Sequence, residues 1–288
     1  MTAFRSFVGG LVAAGLAVTA GLRAPVPDAV LAAQAPAPPA SATQPAPAGP
    51  GQAVAPLPPA LLACPDLAAA LRTVANNDAR LRDFSQLNRY REANHTAGQV
   101  DVVFMGDSIT DVWPQERFGP FFPGRRYVGR GIGGQTTPQM LVRMRPDVLN
   151  LKPKAVVILA GTNDIAGNTG PMTDEDIQNN LMSMSELAVG SGIRVVLSSI
   201  LPTSNYHVAP NGVPQTTLRP MARIRVMNDW MRQYAQAKGH VYLDYVPSMV
   251  DSAGLMRAEL TNDDLHPNAA GYAIMAPLAE AAISKVLN

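Results

Sequence analysis

The sequence is poor in cysteine and in clustered charge. Cys64 is the only cysteine among 288 residues, so no intramolecular disulfide can form and stability must come from a hydrophobic core. Charged residues make up 16% of the chain, and the formal net charge is +1 with no long run of Lys or Arg. The electrostatic footprint of a protein that binds nucleic acid or an anionic membrane is missing, so a small or neutral ligand is favoured.

An apolar stretch opens the chain. Arg5 precedes a run of small apolar residues from about residue 7 to residue 22, which is the organisation of a signal peptide. Cleavage after Ala20 or Ala35 would follow small residues that a signal peptidase reads. We therefore expect residues 1–35 to be removed and the protein to be exported, to the periplasm or out of the cell, with no stable membrane insertion of the mature domain. An uncleaved membrane anchor is the alternative, because a spanning helix needs only about 20 apolar residues.

A Pro- and Ala-rich tract follows. Residues 36–62 contain no charged or aromatic side chain, so they cannot bury enough surface to offset the entropy lost on ordering, and we expect a disordered linker. The tetrad ending at Cys64 resembles a lipoprotein cleavage box, but the tract separates it from the apolar stretch, and a plain thiol is expected. The remaining residues, 63–288, are enough for one domain with a sizeable core.

Short apolar runs alternate with helical stretches from residue 100 onward. Runs so rich in Val and Ile suit strands that are covered on both faces. The alternation predicts βαβ units and therefore a parallel sheet. The predicted strands are 100–105, 126–129, 155–160, 193–200 and 241–245, the predicted helices are 137–149, 173–189, 219–238 and 268–287, and one or two further helices are expected between residues 64 and 94.

Polar loops follow the predicted strands. In open α/β sheets, ligands bind outside the carboxyl ends of the strands. The first strand ends in GDSIT, which contains Ser108, the second in GRGIGGQTT and the third in AGTND, while a late loop reads NDDLHPNAAGY. Together these loops supply a hydroxyl nucleophile, a base with a carboxylate beside it and donors for an oxyanion, which are the requirements of acyl transfer.

The choice of base is narrow, because the chain has only four histidines. His240 directly precedes a strand, and His95 lies on the amino-end side of the sheet. His207 sits in a long loop with no acid close in sequence. His266 has Asp263 three residues before it, and this carboxylate could hold the ring through Nδ1. The alternative is that Asp263 and His266 merely cap a helix.

Four sequence blocks resemble those of the SGNH/GDSL hydrolases, in the same order. They are GDS at 106–108, the glycine pair at 133–134, GTND at 161–164 and DDLH at 263–266. The resemblance extends from about residue 100 to the C-terminus. It implies a three-layer α/β/α flavodoxin-like domain with a five-stranded parallel sheet.

The resemblance also implies roles for individual residues. Ser108 would attack the ester, His266 would accept and return the proton, and Asp263 would orient His266. The oxyanion hole would be formed by the backbone N–H groups of Ser108 and Gly134 and by the side-chain amide of Asn163.

The second and the last block each leave a choice between two neighbouring residues. Gly134 is preferred to Gly133 because it precedes Gln135 and Thr136, as the family's second-block glycine precedes its x-Thr pair. The family's last block is commonly Asp-Gly-Leu-His, whereas this chain has Asp264 in place of the glycine. Asp263 keeps the three-residue spacing to the histidine, so we expect Asp264 to point elsewhere.

Other polar and aromatic residues near the blocks have less specific roles. Asp107 and Asp164 lie beside the predicted site residues and are expected to accept backbone N–H bonds that fix the loops. Four further side chains are candidates to line the acyl or alcohol pocket, with packing inside surface loops as the alternative: Trp113, Arg130, Tyr206 and His207.

The resemblance, which lies with the lysophospholipase-like and platelet-activating-factor-acetylhydrolase-like branch, implies a serine esterase for short acyl or acetyl groups. Its substrate would be a small-molecule, lipid or acetylated-carbohydrate ester, and it would need no cofactor or metal. The sequence has no separate lid and no long apolar insertion, so a true lipase is not expected. Two other classes stay open: a non-catalytic glycan-binding module on the linker, and a metal-dependent phosphoesterase whose possible ligands are Asp107, Asn163, Asp263 and His266.

Overall fold

The computed structural model describes residues 67, 69–74, 81, 83–207 and 212–287, all of which belong to the unit that spans residues 58–288. The predicted signal peptide at 1–35 and linker at 36–62 lie outside the described residues and stay predictions. Of the helices expected between residues 64 and 94, the described part shows helix at 69–74 and at Arg91–His95, which we call α1.

The sheet has five strands: β1 Val102–Gly106, β2 Tyr127–Gly131, β3 Ala155–Leu159, β4 Arg194–Ser198 and β5 Val241–Leu243. All are parallel, and their order in the sheet is β2-β1-β3-β4-β5. Each overlaps one of the predicted runs, with ends that differ by up to two residues. The predicted fold class, an α/β domain with a five-stranded parallel sheet, is confirmed.

Helices cover both faces of this sheet. Beyond α1 they are α2 Ser108–Val112, α3 Thr137–Asp147, α4 Thr162–Ile165, α5 Asp174–Gly190, α6 Gln215–Leu218, α7 Met221–Lys238, α8 Val246–Met249 and α9 Ala269–Leu287, with 3-10 turns at Glu116–Phe118, Leu149–Leu151 and Ala258–Leu260. Alternate residues of β1 enter opposite clusters, because side chains alternate across a strand. Val103 and Met105 pack with α3, α5 and α7, while Val102 and Phe104 pack with α2 and α9. Every residue of β1 and β3 is buried, as two covered faces require.

Two of the longer helices need comment: α7 starts later than predicted, and α9 is unusually apolar. The helix α7 starts at Met221 rather than at the predicted residue 219, and the short α6 precedes it. A residue before proline disfavours the helical region, and Arg219, which precedes Pro220, has φ −131° and ψ 75°. The last helix, α9, is long and apolar enough to cross a membrane, with 19 residues and a mean hydropathy of 1.2. Its residues Tyr272, Met275 and Ile283 are buried against the sheet, so it is a core helix.

The strand order brings the sequence blocks to one edge. β1 and β3 are neighbours, and Gly106 at the end of β1 pairs with Leu159 at the end of β3. The loops that carry Ser108 and Asn163 therefore leave adjacent strand ends, on the carboxyl side where ligands bind in sheets of this kind.

Candidate active site

Ser108 begins α2 only two residues after β1 ends. The turn is tight at Gly106, where a Cβ atom would lie 2.1 Å from Thr110 Oγ1. Asp107 caps α2, since its Oδ1 accepts the Ile109 N–H at 2.9 Å. A glycine and a capping aspartate thus place the serine at the edge of the sheet.

Ser108, His266 and Asp263 form one hydrogen-bonded chain. His266 Nε2 lies 2.8 Å from Ser108 Oγ, and His266 Nδ1 lies 2.6 Å from Asp263 Oδ2. The other carboxylate oxygen of Asp263 accepts the His266 N–H at 2.7 Å and the Leu265 N–H at 3.1 Å. Burial alone would raise the pKa of Asp263, but the bonds from the His266 ring and backbone outweigh it and hold the pKa well below its ordinary value. The carboxylate is therefore ionised and the imidazole is held in one orientation.

The glycine loop after β2 presents one free amide. Gly133 N–H donates to Asp111 Oδ2 at 3.0 Å, so it is already occupied. Gly134 has φ 77°, a conformation that favours glycine, and its N–H has no protein acceptor in the part of the chain that the structure describes. This difference supports Gly134 as the predicted oxyanion donor. The loop lies against the nucleophile, since a Cβ on Gly133 would be 3.8 Å from Ser108 Cβ.

Asn163 is buried in the first turn after β3, with 3% of its surface exposed. Its Nδ2 donates to the Gln135 carbonyl at 3.0 Å, and its Oδ1 lies 3.3 Å from Arg219 Nη2. The preceding Gly161 has φ 114°, and a Cβ there would lie 2.7 Å from Ile200 Cδ1. One Nδ2 hydrogen remains for a ligand, so the predicted third donor is available.

Asp264 turns away from the triad and organises a second loop. Its carboxylate accepts from Ser204 Oγ at 2.5 Å, Tyr206 N at 3.0 Å and His207 N at 2.8 Å, and it pairs with His207 Nδ1 at 2.9 Å. The expectation that Asp264 points elsewhere is confirmed. His207 has no acid close in sequence, as noted above, but the fold supplies Asp264 from 57 residues away. Asp264 has φ 68°, which gives a conformational reason for glycine at this place in the family.

Asp107 and Asp164 accept backbone N–H bonds, as predicted. Asp164 Oδ1 accepts Thr137 N at 2.9 Å and Thr137 Oγ1 at 2.5 Å, which ties the start of α3 to α4. Burial raises the pKa of Asp107 to about 6, with smaller opposing effects from the Ile109 N–H and the charge of His266.

A fully buried arginine that the sequence reasoning missed holds the strand ends together. Arg143 donates to Gly106 O at 2.9 Å, to Arg130 O at 2.7 Å and to Gln135 Oε1 at 2.5 Å. It also pairs with Asp147 at 3.1 Å. The available signal was its position on the apolar face of α3, three residues after Met140, where a charged side chain needs buried partners.

The candidate pocket residues divide into two groups. Trp113 is 4% exposed and stacks on Tyr272 in the core. Arg130 donates to Asn94 Oδ1 at 2.7 Å and lies over the Tyr90 ring. Packing thus accounts for both. Tyr206 and His207 belong to the loop that Asp264 organises.

Two surface cavities open at residues that adjoin Ser108. The first, of about 610 Å³, is lined by residues that include Leu81, Phe84, Gly133, Gly134 and Asn168. The second, of about 740 Å³, is lined by residues that include Arg117, Phe118, Asn262, Asp263, His266 and Asn268. Across the described residues, no group of three or more His, Cys, Asp and Glu side chains could hold a metal ion.

Proteins of known structure or activity share this fold. A Bacteroides fragilis protein named as an acylhydrolase has a similar crystal structure, with a TM-score of 0.64, 39% identity and coverage of 71% of this chain and 98% of that one. A GDSL-like lipase from Bacteroides thetaiotaomicron is 37% identical, with a TM-score of 0.64 and coverage of 70% and 98%. Platelet-activating factor acetylhydrolase IB subunit alpha2 of Homo sapiens is 27% identical over 187 residues, 63% of this chain and 76% of that protein.

The family model that matches this chain covers every sequence block described above. It is that of the GDSL-like lipase/acylhydrolase family, and it matches residues 104–274 of the 288. The chain therefore belongs to the GDSL-like lipase/acylhydrolase family, a family of ester hydrolases.

Proposed function

We propose that the protein is an exported serine esterase that cleaves carboxylic esters through an acyl-enzyme on Ser108. The observation that carries this proposal is the unbroken chain from Ser108 Oγ through His266 to Asp263, with distances of 2.8 Å and 2.6 Å. A nucleophile bonded to a base that is itself held by a carboxylate is the arrangement that activates a hydroxyl near neutral pH.

The first half-reaction forms the acyl-enzyme. Ser108 Oγ attacks the carbonyl carbon while His266 Nε2 takes its proton. The negative charge passes to the carbonyl oxygen, which accepts hydrogen bonds from Ser108 N–H, Gly134 N–H and Asn163 Nδ2. The bond to the alcohol oxygen then breaks, and His266 gives its proton to that oxygen.

The second half-reaction restores the enzyme. Water attacks the acyl carbon and gives a proton to His266, and the carboxylic acid leaves as the proton returns to Ser108. Asp263 accepts a hydrogen bond from the Nδ1–H of His266. This keeps the proton on Nδ1, leaves the Nε2 lone pair free to accept the Ser108 proton, and stabilises the imidazolium.

The two cavities suggest how an ester lies across the site. Because His266 must protonate the leaving oxygen, we place the alcohol in the cavity lined by His266 and Phe118. The acyl group then occupies the cavity at Gly134 and Phe84. A short acyl or acetyl group agrees with the name of the acetylhydrolase relative.

Activity can be tested with p-nitrophenyl acetate and a fluorophosphonate probe. We expect the wild-type protein to hydrolyse the ester and to be labelled at Ser108, and Ser108→Ala to lose both properties. Ser183→Ala is a matched control, because among the described residues this hydroxyl bonds only the Asn179 carbonyl of α5. Activity retained by a pure Ser108→Ala preparation would contradict the proposal, and an unlabelled wild-type protein would favour a non-catalytic module.

The orientation of the substrate has its own test. With a constant p-nitrophenol leaving group, Phe84→Ala should change the preference among acetate, butyrate and octanoate esters. With a constant acetyl group, Phe118→Ala should change the preference among leaving alcohols, including acetylated sugars and glycerophospholipids. If Phe84→Ala changed only the alcohol preference, the orientation would be the reverse.

Export is proposed from the amino-terminal sequence. Residues 1–288 expressed in a Gram-negative host should yield a protein in the periplasm or medium whose N-terminus lies after Ala20 or Ala35, and a form that lacks residues 1–35 should stay in the cytoplasm. An intact N-terminus on a membrane-bound protein would favour the uncleaved anchor.

A further inference from the structure

Arg219 is a buried cation next to the predicted oxyanion hole. It lies between α6 and α7 with 5% of its surface exposed. Its Nε donates to Thr162 Oγ1 at 3.1 Å, Nη1 to Gln215 Oε1 at 2.5 Å and Nη2 to Asn163 Oδ1 at 3.3 Å. Within the described residues, no carboxylate lies at ion-pair distance from it. Burial of an unpaired charge is costly, so stability alone is a poor reason for this arrangement.

The partners of Asn163 determine how its amide is oriented. A guanidinium can only donate hydrogen bonds, and a backbone carbonyl can only accept them. Oδ1 must therefore face Arg219, and Nδ2 must face the Gln135 carbonyl. The reversed amide would place two donors together at Arg219 and two acceptors together at Gln135, so one hydrogen of Nδ2 is always left for the oxyanion.

The charge of Arg219 also acts through the amide. A hydrogen bond from a cation to an amide oxygen draws electron density toward that oxygen and makes the N–H groups stronger donors. Burial lowers the pKa of Arg219, whereas the charges of Asp107 and Asp263 raise it. The guanidinium is thus close enough to interact electrostatically with Asp107, which precedes the nucleophile, and with Asp263, the carboxylate of the catalytic chain.

We propose that Arg219 is a positioning residue of the oxyanion hole, which fixes and polarises the Asn163 amide so that Nδ2 donates to the developing oxyanion. The inference rests on the proposed function, since it assumes that Asn163 donates in the reaction. Its effect should fall on the transition state, because the oxyanion is absent from the bound ester.

The test is a double-mutant cycle with Arg219→Met and Asn163→Ala, measured as kcat and KM for p-nitrophenyl acetate and as the rate of fluorophosphonate labelling. Loss of an oxyanion donor costs about 100- to 1000-fold in kcat, and we expect Arg219→Met alone to lower kcat about 10- to 100-fold. Its KM should stay within about twofold, as for an interaction made only in the transition state. In the Asn163→Ala background, Arg219→Met should lower kcat less than about threefold, because residues that act through one another are not additive.

The matched control is Arg223→Met. Arg223 lies in the first turn of α7, four residues after Arg219, and bonds Asp174 Oδ1 at 2.7 Å and the Met172 carbonyl at 2.6 Å. Within the described residues it makes no hydrogen bond to Asn163. Arg223→Met should leave kcat near the wild-type value, and the Tm of both arginine variants separates a loss of fold from a loss of catalysis. Equal losses of kcat in the two arginine variants, an unchanged kcat in Arg219→Met, or losses that multiply in the double mutant would each overturn the inference.

A conservative variant covers the case in which Arg219→Met does not fold. Lysine keeps the charge but cannot bond Thr162, Asn163 and Gln215 at once, so Arg219→Lys should lower kcat in the presence of Asn163 and leave it unchanged in the Asn163→Ala background. Equal losses in both backgrounds, or none in either, would overturn the inference. A wild-type protein that hydrolyses no ester would instead refute the proposed function, so the two failures are distinguishable.

Discussion

Replacing Asp264 by glycine sets two opposing effects against each other. Glycine would relieve the backbone at φ 68°, which is worth about 1 kcal/mol for an aspartate. Most of this gain is lost, because glycine makes the unfolded chain more flexible by about 0.5–1 kcal/mol. Against it stand the four hydrogen bonds that the carboxylate makes with Ser204 Oγ, Tyr206 N, His207 N and His207 Nδ1, on a residue that is 3% exposed.

The loss of these hydrogen bonds should outweigh the relief of backbone strain. At about 1 kcal/mol for each bond, with part of the loss recovered as water enters the loop, the free energy of unfolding should fall by about 2–4 kcal/mol in Asp264→Gly. For a domain of this size the Tm would fall by about 4–16 °C.

Urea unfolding followed by circular dichroism at pH 7 measures this change. Asp264→Ala keeps the backbone strain and loses the bonds, so it should be slightly less stable than Asp264→Gly. The difference measures the relief of backbone strain less the greater flexibility of glycine in the unfolded chain. Asp264→Asn keeps one acceptor and tolerates the left-handed conformation, so it should lose least. An Asp264→Gly protein as stable as the wild type would refute the reasoning and would mean that the carboxylate bonds add nothing net.

Three further predictions concern the catalytic edge. Burial raises the pKa of Asp107 to about 6, above its ordinary value. The stabilisation that comes from holding this proton is full below about pH 4 and is lost as the pH rises through 6. Asp107→Asn should remove this loss and be more stable than the wild type at pH 8, by up to about 3 kcal/mol in urea unfolding. Asp263→Asn should lower kcat for p-nitrophenyl acetate by roughly 1000- to 10,000-fold, because His266 is no longer held in the reactive tautomer; a loss below tenfold would remove Asp263 from its proposed role. Gly134→Ala should lower kcat tenfold or more, since φ is 77° at this residue and the N–H must move; Gly98→Ala, where a Cβ meets nothing within 4 Å, is the control and should leave kcat unchanged.

Features that depend on neighbouring residues could be predicted from the sequence. The Val- and Ile-rich runs predicted all five strands of the sheet, because burial on both faces leaves a continuous apolar run. The spacing of Asp263 and His266 predicted their pairing, since the Asp263 carboxylate reaches both the ring and the backbone N–H of His266 only three residues away. The blocks also predicted which strand ends carry Ser108 and Asn163, because parallel strands present their carboxyl ends at one edge.

Element ends were less predictable. The apolar pattern of 219–238 gave no sign that the helix starts only after Pro220, although a proline disfavours helix at the residue before it. The break leaves Arg219 outside both helices, and its side chain contacts Thr162 and Asn163 from more than 50 residues away. No local pattern distinguishes this arginine from one on the surface.

By itself, then, the sequence determined the strand and helix pattern, the four blocks and the local Asp263–His266 pair, because each depends on residues close together in the chain. Only the tertiary structure decided that Gly134 rather than Gly133 has a free N–H, that Arg143 bonds Gly106 and Gln135, that Asp264 is the acid of His207, and that Arg219 faces Asn163. These contacts join residues 22 to 57 positions apart, apart from the eight between Gln135 and Arg143. Their partners depend on how the strands and helices pack, and no spacing along the chain encodes that packing.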